Sequence, residues 1–214
     1  MLLTGRNGLL DIIILIPAIL LALTVHEFAH AWVAWKLGDQ TAWNLGRVSL
    51  NPIVHLDIMG TIVLVLTGFI GWAKPVPVDS TYFKNPRKDM ALVAAAGPAA
   101  NIVTAVFFIL ALLLFTYAYS IFGNLLPIPI QRPLVALMVR CLIINLAFAF
   151  MNLIPIHPLD GFNIIAFFLP LSVIFFCLRY RYFFMVALLI FFWKGPFFDI
   201  FNQFTAALFK LLFS

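Results

Sequence analysis

The residues with the clearest chemical potential are His26-Glu27-Phe28-Ala29-His30, which place two imidazoles and the chain's single glutamate within five positions of an apolar stretch. On a helix, His26 and His30 fall at i and i+4, so both rings project from one face and can ligate one tetrahedral ion. Glu27 is offset by one residue, a position from which its carboxylate can take a proton from an attacking water rather than bind the ion. A catalytic zinc needs a third protein ligand and an open position. Asp160 is the first candidate for that ligand. It sits among Pro155, Pro158 and Gly161 within apolar flanks, where a broken helix is tolerated only if its freed groups face protein or a water-filled cavity. His55 and His157 are the alternatives, against plainer roles in loop hydrogen bonding or gating. The bland reading of the histidine pair, helix packing beside a satisfied glutamate, leaves three ionisable groups in hydrocarbon at a cost of several kcal/mol each.

The elements that must hold these groups are membrane helices. The 214 residues are 64% hydrophobic and 10% charged, with 24 phenylalanines and a mean hydropathy of +1.11. Such values exclude a soluble globular domain. At roughly 20 residues per crossing, the length accommodates one integral membrane domain over residues 1–214, all-α and polytopic, with about five or six transmembrane helices. The formal net charge of +5 reflects topology in a chain of this kind, and nucleic acid is not an expected partner. Cys141 and Cys177 lie in apolar runs without CxxC spacing and read as packed thiols.

Taken in order, a first span runs over residues 9–37 and carries the histidines, with Pro17 inside it and Gly38 ending it. Ala29-His30-Ala31 has the form of a leader cleavage site, but the apolar run is too long for a leader core, and a glutamate between two histidines opposes that reading. Residues 41–72 read as a strand or hairpin over Thr41 to Asp57, followed by a short re-entrant run over Ile58 to Ile70. A basic, proline-punctuated loop fills residues 73–90. Spans follow over 91–119 and 134–154, the first opening on the small residues Ala94 to Ala100 and on Asn101, an interhelical hydrogen-bonding group. The break at 152–161 leads into two or three aromatic-rich helices over 162–214, with an interfacial cluster at Arg179 to Tyr182.

Three motifs in this order resemble those of the site-2 proteases, intramembrane zinc metalloproteases, in their compact prokaryotic branch without a PDZ domain. His26 to His30 is similar to the family's HExxH, Gly97-Pro98-Ala99-Ala100-Asn101 to its GPxxN helix start, and Asn152 through Asp160-Gly161 to its NxxPxxxxDG segment. Asn51 through Asp57 is similar to a further segment of the compact branch. The resemblance implies that His26, His30 and Asp160 bind one Zn2+, that Glu27 is general base and acid, and that Asn152 stabilises the oxyanion. It implies a membrane-protein segment as substrate, within a lipid bilayer. Phe162, where many members carry a second glycine, and His157, where an apolar residue or proline is common, depart from the pattern and bear on backbone geometry near Asp160.

Parity then constrains the topology. For His30 and Asp160 to share one ion, the 9–37 and 134–154 spans must run parallel with one antiparallel span between them, and Ile58 to Ile70 must dip and return. Lys36, Arg47, Lys74, Lys84, Arg87 and Lys88 then lie at the active-site end, with Arg6 and Arg132 opposite, so the positive-inside rule places that end in the cytoplasm, and the resemblance implies a prokaryotic cell membrane. Thr41 to Asp57 is expected to capture an unwound substrate by strand addition. The rival reading is a metal-binding transporter or a catalytically inactive relative, which needs ligands but no base beside them.

Overall fold

The computed structural model describes residues 8–60, 62, 73–123, 126–194 and 197–213. Helix α1 runs over Gly8–Lys36, and Gly38 ends it at φ +111°. A single turn, α2 (Thr41–Asn44), and two 3-10 turns (Pro52–His55 and Ser80–Tyr82) lead to α3 (Pro86–Phe122) and α4 (Ile128–Asn152). The C-terminal part consists of α5 (Asp160–Ala166), α6 (Leu171–Arg179), α7 (Arg181–Lys194) and α8 (Phe197–Phe213).

Three helices among the described residues, α1, α3 and α4, are long and apolar enough to cross a membrane; α6 and α7, bent by 68°, make a fourth if they form one span. The protein is therefore an all-α polytopic membrane protein. Pro170 and the Arg179–Arg181 cluster divide the C-terminal region into helices of 7, 9, 14 and 17 residues. Each is shorter than the roughly 20 residues of a straight crossing.

Small residues let the long helices approach closely. Ala18, Ala22, Ala31 and Ala34 of α1 are fully buried; Ala18 and Ala22 pack with Cys141 and Ile144 of α4. Ala105 and Leu112 of α3 meet Leu142 and Leu146 of α4 and Phe201 of α8. Contacts running from Ala22 to His30 along α1 run from Asn101 back to Val93 along α3, so these helices are antiparallel. The order of contacts, from Ala18 and Ala22 clustered with Cys141 and Ile144 to His26 with Phe148, makes α1 and α4 parallel, as shared ligation demands. At the far end Ala34 packs with Phe83 and Val93. The chain from Leu37 to Phe83 thus leaves and rejoins the bundle at one end. Most of Ile58 to Ile70 lies outside the described residues.

The hairpin expected over Thr41 to Asp57 does not form. Thr41–Asn44 is helical, Pro52–His55 is a 3-10 turn, and the only β pairing among the described residues is the isolated bridge between Leu56 and Ala73. Local turn chemistry overrides the alternation: Asp39 Oδ1 accepts from Thr41 N at 2.9 Å, Asn51 Oδ1 accepts from Ile53 N at 3.1 Å, and Gly46 takes φ +67°. Arg47, only 4% exposed, closes this region by donating to the carbonyls of Val54, Lys74 and Pro75. Lys74 N also donates to His55 O at 2.9 Å, which joins the two ends of the 57–72 segment.

The bundle end nearest Lys36 has the character of a membrane interface. The Lys36 ammonium lies 4.2 Å from the Trp35 ring centroid, and Trp35 stacks on Trp43 at 4.6 Å. The same end carries Lys84, Arg87 and Lys88 at the start of α3, whereas Arg132 lies in the first turns of α4 at the opposite end.

Candidate metal centre

His26 and His30, one turn apart on α1, present their rings edge to face with centroids 4.6 Å apart. Their Nε2 atoms are 3.0 Å from one another. Asp160, the first residue of α5, brings Oδ2 to 3.0 Å from His26 Nε2 and 3.3 Å from His30 Nε2. The ligand atoms of these three residues all lie within 4.8 Å of one another, and no other such group of His, Cys, Asp or Glu occurs among the described residues. His26 and His30 are 5% and 8% exposed.

The proton positions decide what this cluster can bind. His30 Nδ1 lies 2.7 Å from the Val93 carbonyl, which only accepts, so Nδ1 carries the proton. His26 Nδ1 lies 2.7 Å from Asn101 Oδ1. That oxygen is assigned by the amide's other end, since Asn101 Nδ2 faces the Ala22 carbonyl at 2.9 Å. His26 Nδ1 is therefore protonated as well. In neutral rings both Nε2 atoms are then lone pairs, aimed at each other and at a buried carboxylate oxygen that accepts no other hydrogen bond. Two imidazole lone pairs and a carboxylate oxygen converging without a proton between them fit a cation, and an N, N, O donor set suits zinc.

The model for peptidase family M50 matches residues 14–126, slightly more than half of the chain. "Putative zinc metalloprotease YwhC" of Bacillus subtilis is 41% identical over 161 residues, covering 74% of this chain and 70% of that protein. The chain belongs to peptidase family M50. It is also 30% identical over 156 residues to "Putative zinc metalloprotease Rip2" of Mycolicibacterium smegmatis and 29% identical over 154 residues to the Mycobacterium tuberculosis protein of that name. It spans about half, 55%, of the length of each of these two mycobacterial relatives. No solved structure matches. The family assignment makes this a membrane metalloprotease and agrees with the resemblance to site-2 proteases.

Gly97 and Gly161 have steric reasons to be glycine. A Cβ on Gly97 would lie 2.5 Å from His30 Nε2 and 2.6 Å from His26 Cε1, so only glycine lets α3 cross the imidazoles at this distance. A Cβ on Gly161 would overlap the carbonyl oxygens of Leu153 and Ile154, which line the turn delivering Asp160. The helix break expected between 152 and 161 is present, with Asn152 closing α4 and a cis peptide between His157 and Pro158.

The remaining sequence candidates sit outside the cluster. Glu27 is half-buried, one residue beyond His26, and its charge acts on Arg47 and His55. The Asn152 amide donates to Phe148 O at 3.0 Å, and the Phe148 ring packs 6.2 Å from that of His26. His55 is fully buried, donates from Nε2 to Ser49 O at 2.7 Å, and is pushed below its ordinary pKa by burial. His157 lies against Phe162 with ring centroids 5.5 Å apart. Neither histidine joins the trio.

Asn101 meets the expectation of an interhelical hydrogen-bonding group, and one of its partners is His26 itself. Asn145 of α4 is a second buried carboxamide bonded to Asn101, at 2.9 Å. The available signal for Asn145 was a carboxamide in an otherwise apolar run, which implies a buried partner.

Proposed function

We propose that the chain is a zinc-dependent intramembrane endopeptidase, hydrolysing a peptide bond in or near a transmembrane segment of another membrane protein. The observation that carries this reading is the convergence of His26 Nε2, His30 Nε2 and Asp160 Oδ2 between helices long enough to cross a bilayer. His26, His30 and Asp160 would hold one zinc ion and leave a coordination position open. Bound there, zinc supplies Lewis acidity, polarising a peptide carbonyl and lowering the pKa of water toward about 7. Glu27, fixed beside the ligands by the helix, takes the proton from the attacking water and returns it to the leaving amine. The Asn152 carboxamide has two N–H groups; one bonds Phe148 O, and the second is available to the developing oxyanion.

A helical peptide bond is sterically covered and hydrogen-bonded, so the substrate segment must unwind locally before attack. The aromatic and basic residues at the Lys36 end, together with the loop cations there, support a cytoplasmic active-site end in a prokaryotic cell membrane.

The test is cleavage of a tagged single-span membrane protein by the purified chain in liposomes. Cleavage is expected to stop with 1,10-phenanthroline and to return on adding zinc. Cleavage that persists at full chelation would sink the zinc mechanism.

A further inference from the structure

A one-way chain of hydrogen bonds leaves the metal centre and crosses all three long helices. His26 Nδ1–H donates to Asn101 Oδ1 at 2.7 Å, Asn101 Nδ2 donates to Asn145 Oδ1 at 2.9 Å, and Asn145 Nδ2 donates to Cys141 O at 2.8 Å. Asn101 and Asn145 are both fully buried. The chain ends on a backbone carbonyl, which cannot donate, and this fixes the sense of every bond before it. Because Cys141 O accepts, the Asn145 nitrogen must face it and the Asn145 oxygen must face α3. Because that oxygen and Ala22 O both accept, the Asn101 nitrogen must face them and its oxygen must face His26.

We propose that Asn145 is a positioning residue for the metal centre: through Asn101 it holds His26 in the Nδ1–H tautomer, which leaves the Nε2 lone pair free to bind metal. The two ligands are secured differently. His30 is set directly by a backbone carbonyl of α3, whereas His26 depends on a side-chain relay anchored one helix further away. Without the Asn145 acceptor, only Ala22 O opposes a flip of the Asn101 amide. A flipped amide turns its nitrogen to His26 Nδ1, making that atom an acceptor and moving the proton to Nε2, where it blocks ligation. The relay also makes ligand geometry depend on the registry of α3 against α4, because a slip between them breaks the Asn101–Asn145 bond.

This inference rests on the zinc reading for its consequence, but the tautomer can be read without metal. The test compares Asn145→Leu, Asn145→Ser and Cys141→Ala with wild type in detergent, using zinc affinity by chelator competition and imidazole 15N shifts of the metal-free protein. Asn145→Leu is expected to weaken zinc binding by about 10- to 100-fold, the usual effect of losing an outer partner of a ligand, and to shift His26 from the Nδ1–H form toward a mixture. Asn145→Ser keeps a hydroxyl that bonds its own i−4 carbonyl and accepts from Asn101, and should recover most of the loss. Cys141→Ala alters packing one turn away but leaves the Cys141 carbonyl in place, and should bind zinc within about twofold of wild type. An Asn145→Leu protein with wild-type zinc affinity and an unchanged His26 tautomer overturns the proposal, as does a Cys141→Ala loss equal to that of Asn145→Leu. A wild type that shows the expected tautomer yet binds no zinc would overturn the metal reading and leave the relay standing.

Discussion

Glu27→Gln is expected to lower kcat by about 10²- to 10⁴-fold, the range for loss of a general base, while zinc binding stays at the wild-type level. That loss corresponds to roughly 3–5 kcal/mol of transition-state stabilisation. The amide is nearly isosteric with the carboxylate and cannot accept the proton of the attacking water. Glu27 is not among the three converging ligand side chains, so metal affinity should not follow activity. This separation distinguishes a hydrolase from a metal transporter built on the same ligands, because transport requires no base at that position. The measurement is kcat on a reconstituted substrate alongside zinc content of the same preparation. Full activity in Glu27→Gln would remove Glu27 from the mechanism; equal loss of zinc and activity would make it a structural residue.

Gly97→Ala is expected to damage the metal centre without removing any polar group. The new methyl would meet His30 Nε2 at 2.5 Å and His26 Cε1 at 2.6 Å, below any ordinary contact distance. The obstructing atoms belong to rings held at their other nitrogens by Val93 O and Asn101 Oδ1, both at 2.7 Å, so the rings cannot turn away without breaking those bonds. Either α3 moves outward from α1 or the imidazoles leave their positions; overpacking of this kind costs about 1–3 kcal/mol. The expected result is zinc binding weakened by about 10- to 100-fold, the range for disturbing the surroundings of a ligand, with a lowered Tm. Chelator competition and thermal unfolding check it. Gly97→Ala with wild-type zinc affinity would show that the helices approach less closely than described.

The parts of the site legible in the sequence were those where polarity is costly. His26, His30 and Asp160 stood out because ionisable groups in apolar stretches need partners, and the i, i+4 spacing put two of them on one face. The parallel α1–α4 and antiparallel α1–α3 arrangement followed from shared ligation and is found in the contacts of Ala22, His26, Asn101 and Phe148. Thr41 to Asp57 was misread because partial alternation is also what a chain of turns produces when Asp39, Asn51 and Gly46 close it locally. After Phe162, Pro170 and the arginines at 179 and 181 divide the chain into short helices. The roles of Gly97 and Asn145 depend on which residues of other helices face them, and periodicity along one helix carries no such information.

The most direct test of the whole account is zinc content by elemental analysis of the protein purified with zinc present, wild type against His26→Ala and Asp160→Ala. About one zinc per chain is expected for wild type, and close to none for either variant, since a three-ligand site loses most of its affinity with any one ligand. A folded wild type without zinc, or variants that retain it, would contradict the assignment of His26, His30 and Asp160 as the metal centre.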